Sequence, residues 1–261
     1  MFYRQQPELS LEMIETISVV IIVKNGSATL KETLSSVSNF KEVVLYDNGS
    51  TDDTLCIASH YENVVIYQGE FQGFGKTKQT AVGLATNDWI LSLDADESLS
   101  SELVNYFNSR GLQQETKSVG VIQRNNYFMG RLVKHGGWGR DLLVRLFNRL
   151  EHNFNDHDVH ESVVTYSSTV AIDIPYPIKH NAVQDINQFL DKVNLYTEIR
   201  RSTSNKTYLP SVIFLKAMWR FFESYILRAG FLSGWRGLVI AWSKSNEVFF
   251  KYMKVYADKD D

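Results

Sequence analysis

TISVVIIVKNGSATLKETLSSV, residues 16–37, passes from a continuous β-branched run through a polar turn into apolar residues at helical spacing. A run without polar alternation, as in 16–23, is the pattern of a strand buried on both faces of a parallel sheet. Leu30, Leu34 and Val37 then recur at i, i+4 and i+7, the stripe of a helix that can cover one of those faces. The unit repeats outward. EVVLY (42–46) leads into DNGSTDD (47–53), where Ser50 with Asp53 three positions later resembles a capping box. NVVIY (63–67), a glycine-containing loop, a helix near 75–86 and the strand WILSL (89–93) continue the series. Alternating strands and helices predict a doubly wound α/β sheet with right-handed crossovers and helices on both faces. Ligands of such sheets bind beyond the carboxyl ends of the strands, where Asp47 and Asp94 stand.

After residue 110 the alternation loosens. VGVIQR (119–124) and LLVRLF (142–147) read as further strands, separated by NNYFMGRLVKHGGWGRD (125–141). The polar loop HNFNDHDVHES (152–162) precedes VVTY, and residues 184–200 read as a helix. Phe214, Met218, Phe221 and Tyr225 fall at i, i+4, i+7 and i+11, marking an amphipathic helix, and a second helix is expected from about Leu238 to Val255.

Composition narrows the setting. The 261 residues are 44% hydrophobic and 22% charged, enough apolar content for a proper core. A single cysteine, Cys56, excludes an internal disulfide and a thiolate-rich metal site, which points to a reducing compartment. MFYRQQPELSLEM carries no basic segment leading into an apolar one, so no secretory signal is expected. The longest apolar runs fall short of the roughly 18–20 residues of a membrane span. A cytoplasmic location is therefore expected. The net charge of −3 conceals an asymmetry: Arg200–Val255 holds ten Lys/Arg and two acids, net +8, while residues 1–199 carry −9.

Several motifs fail on spacing. GKT (75–77) lacks the P-loop's first glycine, because residue 70 is Glu; Gly73 and Gly75 lack the third glycine of a dinucleotide fingerprint. Lys76 remains able to face a phosphate. LSLDADES (91–98) cannot be an EF-hand, since Leu99 and Asn105 occupy the positions that need Gly and Glu. Two readings of its carboxylates stay open. Asp96 or Ser98 can cap the following helix, with Glu97 a first-turn acid. Alternatively Asp94 and Asp96 hold Mg²⁺ or Mn²⁺, whose shell is completed by phosphates and water. Asp47 favours the second reading, because an aspartate at a neighbouring strand end can accept a hydrogen bond from a base or ribose. Asp52 and Asp53 fit as helix-start acids.

VVIIVKNGSATLKETLSSV, VVLYDNGSTDDT and GFGKTKQTAVGLATNDWILSLDADES resemble, in order and spacing, the nucleotide-sugar-dependent glycosyltransferases of family 2. The resemblance implies the GT-A fold, a mixed α/β sheet, here followed by C-terminal amphipathic helices. It implies a donor site of Val23, Asn25, Asp47, Lys76, Gln79, Asp94, Ala95 and Asp96, with Asp47 on the base of a UDP-sugar and 94–96 as the DXD motif. Asp96, Asp94 and His180 are the implied metal ligands; a lone histidine such as His180 also fits a purely structural role. The first turn departs from the family's common Asn-Glu in reading Lys24–Asn25. GGWGRDLLVRLFNR, DVHES, IKHNAVQDINQFLDKVNLYTE and GFLSGWRGLVIAW are similar to the bacterial subgroup that adds glucose, often β-1,4, to a heptose of the lipopolysaccharide inner core. The expected organisation is a domain over 1–205, with a nucleotide-binding half (16–110) and an acceptor half (111–205), and a basic aromatic extension over 206–261.

Sugar transfer with inversion needs a carboxylate to take the acceptor's proton. Glu161 is the expected base, with Asp158, Asp156 and Asp141 as rivals. Trp138 and His160 are acceptor-side candidates, although Trp138 also suits a core. Arg145 suits either a phosphate contact or an edge strand. The aromatic and basic residues after 206 suit an anionic membrane interface, hence a lipid-linked saccharide acceptor at the cytoplasmic face of the inner membrane. No nucleic-acid-binding motif is present, so nucleic acid is not an expected partner. Rival readings are another glycan acceptor, a nucleotidyltransferase, and a non-enzymatic sugar-nucleotide sensor.

Overall fold

The structure, a computed structural model, describes residues 13–109, 116–139, 141–157, 161–187 and 206–260, with 189–190, 193–194 and 197–198 between the last two stretches. The first half follows the expected alternation: β1 (Ile14–Val23), α1 (Leu30–Ser36), β2 (Phe40–Asp47), α2 (Thr54–Ala58), β3 (Val64–Gln68), α3 (Phe74–Gly83) and β4 (Trp89–Asp94). Then come β5 (Glu97–Ser98), α4 (Ser101–Ser109), β6 (Ser118–Phe128), β7 (Arg131–Leu132), β8 (Leu142–Asn148) and β9 (Val170–Val183). The chain ends in α5 (Pro210–Phe222) and α6 (Gly234–Asp260), joined through a π turn over Glu223–Leu227 and a 3-10 turn over Gly230–Ser233.

One sheet runs β3-β2-β1-β4-β8-β6-β9-β5, with β7 paired to β6. β1 is parallel to both β2 and β4, and β2 to β3; β8 enters antiparallel between β4 and β6. The two-sided burial of β1 is literal. Val19, Ile21 and Val23 pack with Leu30 and Leu34 of α1 and Leu103 of α4, whereas Val20 packs with Ala81 and Val82 of α3. The register sets Val23 beside Asp47 and Ile22 beside Asp94, so the two aspartates flank the end of β1. A third cluster of Phe128, Val133, Ala182, Val183, Phe189, Val193 and Ile240 seats α6 against β6 and β9.

Several local expectations change. Ser50 does not cap α2, which begins at Thr54; its hydroxyl donates to Asp47 instead. Neither Asp96 nor Ser98 caps α4: the Leu103 N–H donates to Ser100 Oγ, and Glu97–Ser98 form β5. VVTY contributes a bridge, Val163 to Phe154, and no strand. The long strand of this region is β9, whose pairing skips from Ile174 to Ile178 across Pro175 and Pro177. Arg145 lies on β8, inside the sheet, not on an edge. In α5 the buried residues are Ile213 and Ala217, while Phe214 and Met218 of the expected amphipathic stripe are exposed.

Candidate active site

A cavity of about 810 Å³ opens beyond the carboxyl end of β4. Asp94, Asp96, Glu161 and His180 line it with the cations Lys78, Arg124 and Arg145; Trp138, Asp141 and, from α6, Lys244 and Glu247 line its far side.

The floor is an ion network. Lys78 Nζ donates to Asp94 Oδ1 at 2.9 Å and to Glu161 Oε1 at 2.7 Å. Arg145 donates to Asp94 Oδ2 at 2.7 Å and also to the wholly buried Glu97. Arg124 reaches Glu97 at 3.2 Å and Asp141 at 2.7 Å. Burial opposes ionisation of Asp94, yet the charges of Arg145, Lys78 and Arg124 outweigh it and hold its carboxyl well below the usual range. Burial, opposed by Arg145 and aided by the Asp94 charge, pushes Glu97 up. Glu97 also accepts the Asp94 N–H at 3.0 Å. It is a structural member of this network and not the first-turn helix acid expected of it.

Asp94 thus faces three cations, an arrangement that differs from the metal ligation expected of it. Asp96 points elsewhere, with Oδ1 3.3 Å from His180 Nε2. Neighbouring ligands of an octahedral ion at about 2.1 Å stand about 3 Å apart, so this oxygen–nitrogen pair fits two positions of a Mg²⁺ or Mn²⁺ shell. Among the described residues no group of three or more His, Cys, Asp or Glu side chains is placed to hold a metal. Two protein ligands suit an ion that takes its remaining partners from phosphate and water.

The other expected donor residues divide. Asp47 is fully buried, and its carboxylate accepts the N–H groups of Gly49 and Ser50. Asn25, in the left-handed region at φ 54°, ties its turn to the next one by accepting the Thr51 N–H at 2.8 Å. Val23 is buried at the end of β1. The Ala95 carbonyl accepts from Thr33 at 3.0 Å. Lys76 is exposed and does not line the cavity; Lys78, two residues on, does. Gln79 donates to the Phe154 carbonyl at 2.6 Å, fastening α3 to the loop that carries Glu161. Gly75 belongs to the same seam, since a Cβ there would stand 2.1 Å from the Asn155 carbonyl oxygen.

On the acceptor side, Trp138 both lines the cavity and packs against Phe128 and Phe189. Asp156 is exposed and outside the cavity lining, while Asp141 is held by Arg124. His160 and Asp158 lie outside the described residues. Arg145 commits one guanidinium nitrogen to Asp94 and Glu97, and its buried Nε has no hydrogen-bond partner. The residues that sequence reasoning missed are Lys78 and Arg124, with Asn126 behind the cavity, its Oδ1 2.6 Å from His180 Nδ1. For Lys78 a signal existed, because it precedes Ala81 and Val82 by three and four positions and so shares their inward face.

Among known proteins, residues 18–169 match the family model described as Glycosyl transferase family 2. The chain is 27% identical over 248 residues to an uncharacterized glycosyltransferase of Rickettsia felis, covering 87% of this chain and 84% of that one. Over 91 residues it is 37% identical to a PGL/p-HBAD biosynthesis glycosyltransferase of Mycobacterium tuberculosis, 31% of this chain and 36% of that one. Among solved structures it is similar to S. aureus TarS 1-349 in complex with UDP, at 15% identity and a TM-score of 0.47, covering 94% of this chain and 91% of that one.

Proposed function

This chain belongs to glycosyl transferase family 2, and from that premise we propose that it moves glucose from UDP-glucose to a heptose of the lipopolysaccharide inner core, with inversion. The observation that carries the reading is the meeting, on one cavity, of the Asp96–His180 pair with Glu161. The reaction breaks the bond between the anomeric carbon and the diphosphate oxygen and forms one to the acceptor oxygen. The acceptor's proton passes to Glu161, and UDP leaves. Lys78 holds Glu161 by Oε1, and in this reading Oε2 receives the acceptor's proton. Asp96 and His180 would hold Mg²⁺ or Mn²⁺, which would supply positive charge to stabilise the departing diphosphate. Asp94 acts through the cation network, as a donor-site acid and not as a metal ligand. We assign the donor to residues 16–110 and the acceptor to 111–205 with the 206–261 extension, whose Lys244 and Glu247 face the same cavity.

The acceptor is lipid-linked in this reading, and the protein meets it at the cytoplasmic face of the inner membrane. Support comes from the outward side of α5, α6 and the turns between them. Val212, Leu215, Trp219, Phe222 and Ile226 share a face at spacings of three and four and are exposed, as are Leu232, Trp235, Leu238 and Trp242. Net positive charge over Arg200–Val255 complements an anionic lipid surface. No helix among the described residues is long and apolar enough to cross a membrane, so the contact is interfacial.

A thermal-shift screen of nucleotide sugars with and without Mn²⁺, followed by product analysis on isolated core acceptor, tests the reading. UDP-glucose with Mn²⁺ is expected to raise the melting temperature most, and UDP to be released only with acceptor turnover. Pyrophosphate release from a nucleoside triphosphate would establish nucleotidyl transfer instead.

A further inference from the structure

We propose that Asn126 is a positioning residue that fixes the tautomer of His180, presents its Nε2 to the cation shared with Asp96, and ties that corner to the acceptor-side loop. The proposal rests on the metal-assisted reading above. Asn126 lies opposite His180 in the β6–β9 register and is 4% exposed. Its Nδ2 donates to the Trp138 carbonyl at 3.1 Å and to Asp141 Oδ2 at 3.3 Å. Neither of those oxygens can donate, so the amide has one orientation: a flip would set oxygen against a carbonyl and a carboxylate at once. Oδ1 is therefore the atom 2.6 Å from His180 Nδ1, and that nitrogen must carry the hydrogen.

With Nδ1 protonated, a neutral His180 keeps its lone pair on Nε2, the nitrogen 3.3 Å from Asp96 Oδ1. Hydrogen bonds of this kind orient metal-binding histidines, and their loss typically lowers metal affinity about 10–100-fold. Here the same amide also holds the Trp138 carbonyl and the Asp141 carboxylate, so one side chain aligns the cation corner with the acceptor wall.

Long-range ¹⁵N correlation spectra of the metal-free protein at pH 8 test the tautomer directly. His180, assigned by its loss in His180→Ala, is expected to carry its proton on Nδ1; a proton on Nε2 in the wild type overturns the proposal. Mn²⁺ titration followed by electron paramagnetic resonance supplies the second readout. Asn126→Ala should weaken Mn²⁺ about 10–100-fold and cost nothing further in the His180→Ala background. Additive losses, or unchanged affinity in Asn126→Ala, also overturn it. A wild type that binds no Mn²⁺, even with UDP, removes the metal reading, while the spectrum still decides what Asn126 does to His180.

Discussion

The ammonium of Lys78 lies 2.7 Å from the carboxylate of Glu161, 83 positions later in the chain. Because the same nitrogen also holds Asp94, α3 joins the end of β4 to the loop that carries the proposed base. Removing one partner of such a buried set leaves uncompensated charge and typically costs about 3–5 kcal/mol. Lys78→Met is therefore expected to lose about that much in urea unfolding and to lower turnover as Glu161 loses its anchor. Lys76→Ala, on the exposed side of α3, should stay within about 0.5 kcal/mol. Equal behaviour of the two variants would contradict the network.

Glu161→Gln keeps the shape of the side chain and its contact with Lys78 while removing the proton acceptor. Turnover should fall about 10²–10⁴-fold, with UDP-glucose affinity by calorimetry nearly unchanged. Normal turnover in this variant moves the base to another carboxylate of the cavity, with Asp141 the first to examine.

How far the chain could be read beforehand follows from which forces act locally. β1 through β4 were legible because each carries an uninterrupted apolar run between turn residues, and a strand buried on both faces needs little else. β9 was not. Its Pro175 and Pro177 cannot donate to the ladder, yet the strand passes them in an irregularity and resumes pairing at Ile178. The site was half legible. Carboxylates clustered at a strand end betray themselves in sequence, whereas their cations arrive from α3, β6 and β8. Helix phase separates Lys78 from Lys76, and only tertiary packing fixes that phase. Phe214 and Met218 mark α5 as an amphipathic helix, but both of its faces carry apolar residues, so periodicity alone cannot say which one meets the core.

Acid should act on the network with a definite sign. Asp94 is ionised at a folded pKa well below its unfolded value. Its contribution to stability is complete above the unfolded value of about 3.9 and is lost as pH falls toward the folded one. Glu97, whose folded pKa is raised, works in the opposite sense: its contribution is full below about pH 4.3 and declines as pH rises through the folded value. Urea unfolding between pH 2 and 7 should therefore show a wild-type loss below about pH 4 that is shallower in Asp94→Asn. Identical acid slopes would remove Asp94 from the account.

Asp94 and Asp96 should separate in metal binding. Asp96→Asn and chelation by EDTA are both expected to abolish Mn²⁺-dependent UDP binding in calorimetry. Asp94→Asn is expected to lose stability first and to retain measurable Mn²⁺ affinity, because its oxygens face Lys78, Arg145 and Arg124 and not the Asp96–His180 pair. Unchanged UDP affinity in Asp96→Asn would sink the cation corner.

The outward face of α5, α6 and the turns between them makes the last claim measurable. Leu215 is 66% exposed, Trp219 60% and Leu232 60%, so replacing them with serine removes apolar surface without opening the core. Each such side chain gains about 1.5–3 kcal/mol on leaving water completely. Partial insertion of three of them still corresponds to at least tenfold in partitioning, at about 1.4 kcal/mol per decade. Vesicles containing anionic lipid should therefore sediment the wild type, and the triple variant Leu215→Ser, Trp219→Ser, Leu232→Ser at least tenfold less. Zwitterionic vesicles should capture the wild type more weakly, and salt should weaken the anionic case, since surface attraction of Lys and Arg is screened over about 8 Å at physiological ionic strength. Binding that ignores both salt and lipid charge would mean that the apolar stripe acts alone. A wild type that stays in the supernatant with anionic vesicles would leave the stripe to another partner and would detach the acceptor proposal from the membrane.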